Sequence, residues 1–383
     1  MNANSVFELL IDQGHVTSIL KEAVTASKDA ASESQEMTHA WLFTGPPGSG
    51  RSNAALAFAA ALVCQKGGCN NCTDCKTAIK GVHADVELVK TEGLSIKIDE
   101  VRELITRASW SPSVGNYRVV VIEDADRLTE SAANALLKAI EEPGVRTVWL
   151  LCAPSATDVL PTIRSRTRSL VLRTPSTAAV AALLEAESIT PAMANFAARA
   201  SQGHIGRARH LANSNEARSR REAILKISLL ITDVSSAFKA AQVLVEAAKA
   251  EAEEEAERRD GAEMSALKEA WGQQGSKLTQ GGAKIVKELE KEQKSRTTRM
   301  VRDYLDRALL DIATLFRDIL LVQSNSMDSL INTDLLNEIT QIANNSTPQA
   351  TLRKLEAIMS ARTNLTHNAA PLLTIEALMV SLK

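Results

Sequence analysis

Along the first 174 residues, short and almost wholly apolar runs alternate with stretches whose apolar positions recur every three or four residues. AWLFT (40–44), ADVELV (84–89), RVVVI (118–122), TVWLLC (147–152) and SLVLR (169–173) read as buried strands, rich in β-branched and large aliphatic side chains. Between them, 52–64, 98–108 and 128–142 read as helices. Ile98, Val101, Leu104 and Ile105 share one face of the second, and Pro143-Gly144 stops the third. Apolar strands separated by helices predict a parallel sheet covered on both faces, an α/β architecture.

Beyond residue 174 the strand signals fade. STAAVAALLEAESI (176–189) and AMANFAARASQG (192–203) predict helices, with Gly203 as a C-cap, and 204–248 continues in helical period. Residues 249–296 differ in kind: a charge-rich run, then a glycine- and glutamine-rich stretch, then a basic helical one. This pattern predicts an exposed insertion, a projecting helical hairpin around a flexible tip. Compact amphipathic helices return at 297–383, where Leu305, Leu309, Ile312 and Phe316 form one stripe. The expected organisation is therefore an α/β domain over 1–174, a small helical lid over 175–215, and an all-α domain over 216–383 that carries the insertion.

Composition narrows this picture. The 383 residues suffice for two or three domains. Apolar residues make up 45% and aromatics 3%, so the core must be aliphatic. A net charge of −2 gives no global field toward nucleic acid or membrane. The start of the chain lacks the basic and apolar regions of a signal peptide, and the apolar run 54–64 is too short to span a bilayer. A soluble cytoplasmic protein without membrane contact is expected.

Four motifs carry candidate chemistry. GPPGSGRS (45–52) follows a strand and opens a helix, the context of a phosphate-binding P-loop, with Gly45, Gly48, Gly50 and Ser52 in place. Arg51 stands at the lysine position: the charge is kept, on a longer, planar and forked group. In VVVIEDAD (119–126), Glu123 and Asp124 end a strand, where acids of a nucleotide site orient magnesium and polarise water. The usual order is Asp then Glu, so the pair is reversed. In LPTIRSRT (160–167) and just after it, Arg164, Arg166 and Arg168 compete for the part of an arginine finger, or are solvated surface charges. Cys64, Cys69, Cys72 and Cys75 form C-x4-C-x2-C-x2-C, which suits structural tetrahedral zinc. An iron–sulfur cluster and free thiols are the alternatives, but no fourth cysteine before proline follows, as a ferredoxin-like run requires. Lys66, Lys76 and Lys80 beside the cysteines come without aromatic residues for base stacking. The basic stretch 284–302 reads first as a solvated helix face.

GPPGSGRS, the cysteine module behind its helix, TEGLSIKIDEVREL (91–104), EDADRLTESAANALLKAIEEP (123–143) and LPTIRSRT together resemble the AAA+ clamp-loader family of bacterial DNA polymerase III, in actinobacterial wording, over roughly residues 5–215. The resemblance implies an AAA+ module, a helical lid and a helical collar within a hetero-pentamer. That assembly has gamma/tau ATPases and a delta subunit, and loads a ring-shaped sliding clamp onto primed DNA. The likeness is to its usually non-hydrolysing member. The family's Ser-Arg-Cys motif falls on Ser165-Arg166-Thr167, which makes Arg166 the implied finger offered in trans. The four cysteines carry over as zinc ligands. The lid motif Gly-Ser-Leu-Arg falls on Gly203-His204-Ile205-Gly206, so its arginine is replaced by Gly206. Arg51, the Glu123-Asp124 pair and Gly206 thus depart together, and catalytic groups that act as a unit fail together. The expectation is a degenerate site for ATP and Mg2+. The alternatives are an active AAA+ ATPase and a subunit that binds ATP without hydrolysing it.

Overall fold

The computed structural model describes residues 4–383 other than 29–35, 92, 94, 145, 271–279, 328–329 and 368. They fall into two compact units, Met1–Ala212 and Asn213–Lys383.

The first unit is built on strands β1 (Ala40–Thr44), β2 (Val86–Val89), β3 (Arg118–Ile122), β4 (Thr147–Ala153) and β5 (Arg168–Val171). All pairs are parallel, in the order β2-β3-β4-β1-β5, with Phe43 opposite Cys152 and Val121 opposite Leu150. Every residue of β1, β3 and β4 is buried, which is why these strands read as unbroken apolar runs. Alternate side chains serve opposite faces. Trp41, Phe43, Val119, Val121, Leu150 and Cys152 pack toward α1 (Gly14–Lys28), α2 (Arg51–Val63) and α3 (Thr73–Ile79). Leu42, Val120, Ile122, Trp149 and Leu151 pack toward α4 (Ile98–Ala108), α5 (Glu130–Glu141) and α6 (Pro161–Arg164). Helix α2 is buried along nearly its whole length and rich in alanine, so it lies close on the sheet and directs its first turn at the loop after β1. Thr129 caps α5 by accepting from Ala132 N–H at 3.3 Å. Helices α7 (Thr177–Ala186), α8 (Pro191–Ala200) and α9 (Ile205–Asn213) complete the run.

The second unit holds α10 (Asn215–Leu229), α11 (Val234–Ala270), α12 (Gln280–Gln323), α13 (Leu336–Asn345), α14 (Pro348–Thr366) and α15 (Pro371–Ser381). The single helical stretch expected over 204–248 is in fact broken at two capping residues. Ser214 Oγ accepts from Ala217 N–H, and Asp233 accepts from Ser236 N–H at 2.7 Å. The Leu305, Leu309, Ile312 and Phe316 stripe lies in the core of this unit. A buried polar knot crosses it: Arg221 bonds Asp311 at 2.8 Å and Asn332 at 2.5 Å. The described residues of 249–296 are the adjoining parts of α11 and α12, and Arg296 pairs with Glu263 at 2.9 Å while Tyr304 donates to Glu255 at 2.6 Å. Arg296 holds the Glu263 carboxyl down at about 2. The expected flexible tip falls on residues 271–279, outside the described residues.

Candidate functional site

The loop after β1 turns on glycines. Gly48 has φ +86, and a Cβ there would lie 2.6 Å from the Cβ of His204. Only glycine fits, because the start of α9 presses directly on the loop. Gly50, also left-handed, is the N-cap of α2. Ser52 follows half-buried in its first turn. Arg51 Nη1 donates to the carbonyl oxygen of Gly45. The charge at the lysine position is therefore folded back on its own loop. Gln13, 5% exposed, braces the loop from beneath: its Nε2 donates to Ser49 O at 3.4 Å and Arg173 O at 2.6 Å, and its Oε1 accepts from Arg173 N–H.

The strand ends gather acids opposite this loop. Glu123 lies 3.3 Å from Lys90 Nζ, a cation carried at the end of the neighbouring strand β2. Asp124 precedes a short 3-10 turn, Ala125–Arg127, without a side-chain capping bond to it. Asp126 is a member that sequence reasoning missed. Burial raises its carboxyl above the usual range, and the charge of Asp124 adds to this against a smaller pull from Arg51. Cys152, at the end of β4, feels the charges of Arg51, Glu123 and Asp124 together, and burial dominates in pushing its thiol up. The structure thus brings Arg51 and the acids to one end of the sheet. Gly206 has the ring of His204 for a neighbour, and His204 Nδ1 accepts from Arg207 N–H at 3.2 Å. The sequence carried no signal for His204 or Gln13, because each acts on a loop more than thirty residues away in the chain.

The three arginines after β4 separate clearly. Arg168 turns inward, 4.9 Å over the Trp41 ring and donating to Glu36 O at 2.5 Å. Arg164 reaches the Ala156 carbonyl at 3.5 Å. Arg166, 42% exposed, places Nε 2.5 Å from Glu141 Oε1 and donates from Nη1 to Thr162 O at 3.0 Å and Ser165 Oγ at 3.3 Å.

The cysteines lie where α2 ends and α3 begins. All four sulfurs are within 4.8 Å of one another. The Cys64–Cys69 and Cys64–Cys72 separations are 3.8 and 3.7 Å. Four thiolates about 2.3 Å from a tetrahedral zinc stand about 3.8 Å apart, so the donor set fits the metal. Cys75 N–H donates to Cys72 Sγ at 3.4 Å. The backbone N–H groups of Asn71 and Cys72 bring the Cys69 thiol down to about 6. A cluster of this kind can hold a structural ion. The module is tied to the core through Val6, whose N–H donates to Gly68 O at 3.0 Å.

A parallel five-stranded sheet, a glycine loop on the N-terminus of a buried helix, acids at the adjacent strand end and an inserted four-cysteine cluster define a P-loop AAA+ module, here followed by an all-helical unit. Two family models match: DNA polymerase III, delta subunit, over residues 21–176, and DNA polymerase III, delta subunit, C terminal, over residues 302–382. The chain belongs to this DNA polymerase III delta-subunit family. It is 27% identical over 339 residues to DNA polymerase III subunit delta' of Bacillus subtilis, covering 88% of each chain. The delta' subunit of Pseudomonas aeruginosa is 38% identical over 134 residues, 33% of this chain and 41% of that one. The gamma/tau subunit of Mycobacterium bovis is 33% identical over 172 residues, 44% of this chain and 28% of the relative. No helix among the described residues is long and apolar enough to cross a membrane.

Proposed function

We propose that this chain is the delta-prime subunit of a DNA polymerase III clamp loader, acting in the cytoplasm at the replication fork. It assembles with gamma/tau and delta subunits into a hetero-pentamer that loads the sliding clamp onto primed DNA. Within that assembly it offers Arg166 in trans to the ATP of a gamma/tau neighbour and does not hydrolyse ATP itself. The likeness to delta' over most of the chain supports the assignment to the complex. The division of labour rests on one observation. Arg51 donates to the Gly45 carbonyl inside its own loop, whereas Arg166 stands at the surface beyond α6. An arginine finger stabilises charge on the transferring phosphoryl group and can be supplied in trans by a neighbouring protein. The four cysteines hold zinc as a structural ion, remote from this chemistry.

The reading is tested by reconstituting the complex with gamma/tau, delta, clamp and primed DNA. Arg166→Ala should leave the mass of the assembly unchanged and depress its stimulated ATPase. An unchanged ATPase overturns the finger assignment. Failure of the wild-type chain to join the complex overturns the subunit assignment. The isolated chain should show no magnesium-ATP turnover above background.

A further inference from the structure

Helix α5 ends on two consecutive glutamates, Glu141 and its C-cap Glu142. Acids are unfavourable there, since the last turn of a helix carries its partial negative charge and normally attracts Lys or Arg. Residues that break a local rule point to a demand from elsewhere in the fold. For Glu141 that demand is visible. Its carboxylate meets Arg166, just past the end of α6, with Nε 2.5 Å from Oε1. Arg166 is 42% and Glu141 46% exposed, so the pair is well solvated and adds little to stability. Stability therefore does not account for an acid at this position.

Geometry does. Glu141 Oε1 lies 2.5 Å from Nε as an ion pair, and Thr162 O and Ser165 Oγ accept from Nη1. Nη2 makes no hydrogen bond among the described residues. The group is thus engaged at Nε and at Nη1, with Nη2 left for a further acceptor. Arg164 and Arg168, bound to carbonyls of their own subunit, have no carboxylate of this kind among the described residues. A long side chain held in one rotamer approaches an incoming acceptor with part of its ordering cost already met.

We infer that Glu141 is a positioning residue for Arg166, fixing the guanidinium so that its Nη2 end faces the phosphate of a neighbouring subunit's nucleotide. The inference rests on the finger reading above. It is tested in the reconstituted complex by steady-state ATPase with Glu141→Ala, Glu141→Gln, Arg166→Ala and the Glu141→Ala/Arg166→Ala double variant, after thermal melts establish that each folds. Glu141→Ala should lower kcat about tenfold, less than the ~100-fold that a misplacement of 1 Å can cost, with KM for ATP little changed. Glu141→Gln, which keeps an oxygen beside Nε without the charge, should fall between wild type and Glu141→Ala. The double variant should be no slower than Arg166→Ala alone. If Arg166→Ala is slow while Glu141→Ala behaves as wild type, the positioning role is wrong and the finger stands. If Glu141→Ala slows the Arg166→Ala background by the same factor, Glu141 acts independently and the inference is overturned. If Arg166→Ala itself has no effect, the finger reading fails first.

Discussion

Arg51 donates a hydrogen bond from Nη1 to the carbonyl oxygen of Gly45, six residues earlier in the same loop. A P-loop works by offering N–H groups and a cation to phosphate. Here the cation donates to the loop itself, and His204, just before α9, packs against Gly48.

This arrangement makes a prediction for Arg51→Lys. The lysine lacks the guanidinium nitrogen that makes this contact, so its charge is released toward the phosphate position. Equilibrium binding of an ATP analogue should tighten relative to wild type. Hydrolysis by the isolated variant should stay at background, because Glu123 remains paired with Lys90 and Gly206 supplies no side chain. Turnover appearing from this single change would mean that the strand-end acids are competent as they stand.

The cysteine cluster predicts one zinc per chain by elemental analysis, lost on treatment with a strong chelator. Cys69→Ser should lower the melting temperature and abolish stoichiometric zinc, since three remaining thiolates leave the tetrahedral set open. Iron in place of zinc, with visible absorbance, would point to a cluster instead.

Asp85 governs a separate element. It is fully buried, and its two oxygens accept from the N–H groups of Ser113, Val114 and Gly115 at 2.6, 2.7 and 2.7 Å. Burial alone would raise its carboxyl; the three N–H donors outweigh burial and lower it. A depressed folded-state value means that the contribution is present above the unfolded value of about 4 and is lost as pH falls through the folded one. Asp85→Ala should therefore cost about 3 kcal/mol at neutral pH, from buried donors left without acceptors. It should also flatten the acid limb of the stability profile, measured by urea unfolding. An unaltered slope below pH 4 would assign the acid sensitivity elsewhere.

The parts legible in sequence were those encoded locally. RVVVI and TVWLLC announced themselves as central strands because both faces of the sheet are covered, and the four cysteines are close enough in the chain to read as one donor set. The break before α10 was missed because helical period continues through Ser214, whose capping bond shows only in three dimensions. Periodicity could not place Gln13 beneath Ser49, His204 on Gly48, or Glu141 beside Arg166, since each contact is set by the packing of elements far apart in sequence. Nor could composition choose among Arg164, Arg166 and Arg168. The ring of Trp41 and the carbonyl of Glu36 separate Arg168 from the others.

Gln13 also has a bearing on how the molecule comes into being. Its amide is satisfied by Arg173, 160 residues further along, and β1 acquires its neighbours only when β4 and β5 exist. A nascent chain therefore carries the glycine loop for most of the synthesis of this unit before the brace beneath it can form. Closing contacts of such sequence separation is slow, and the exposed apolar strands are meanwhile at risk of aggregation. Truncated chains that end before residue 173 should for this reason be the ones that chaperones retain.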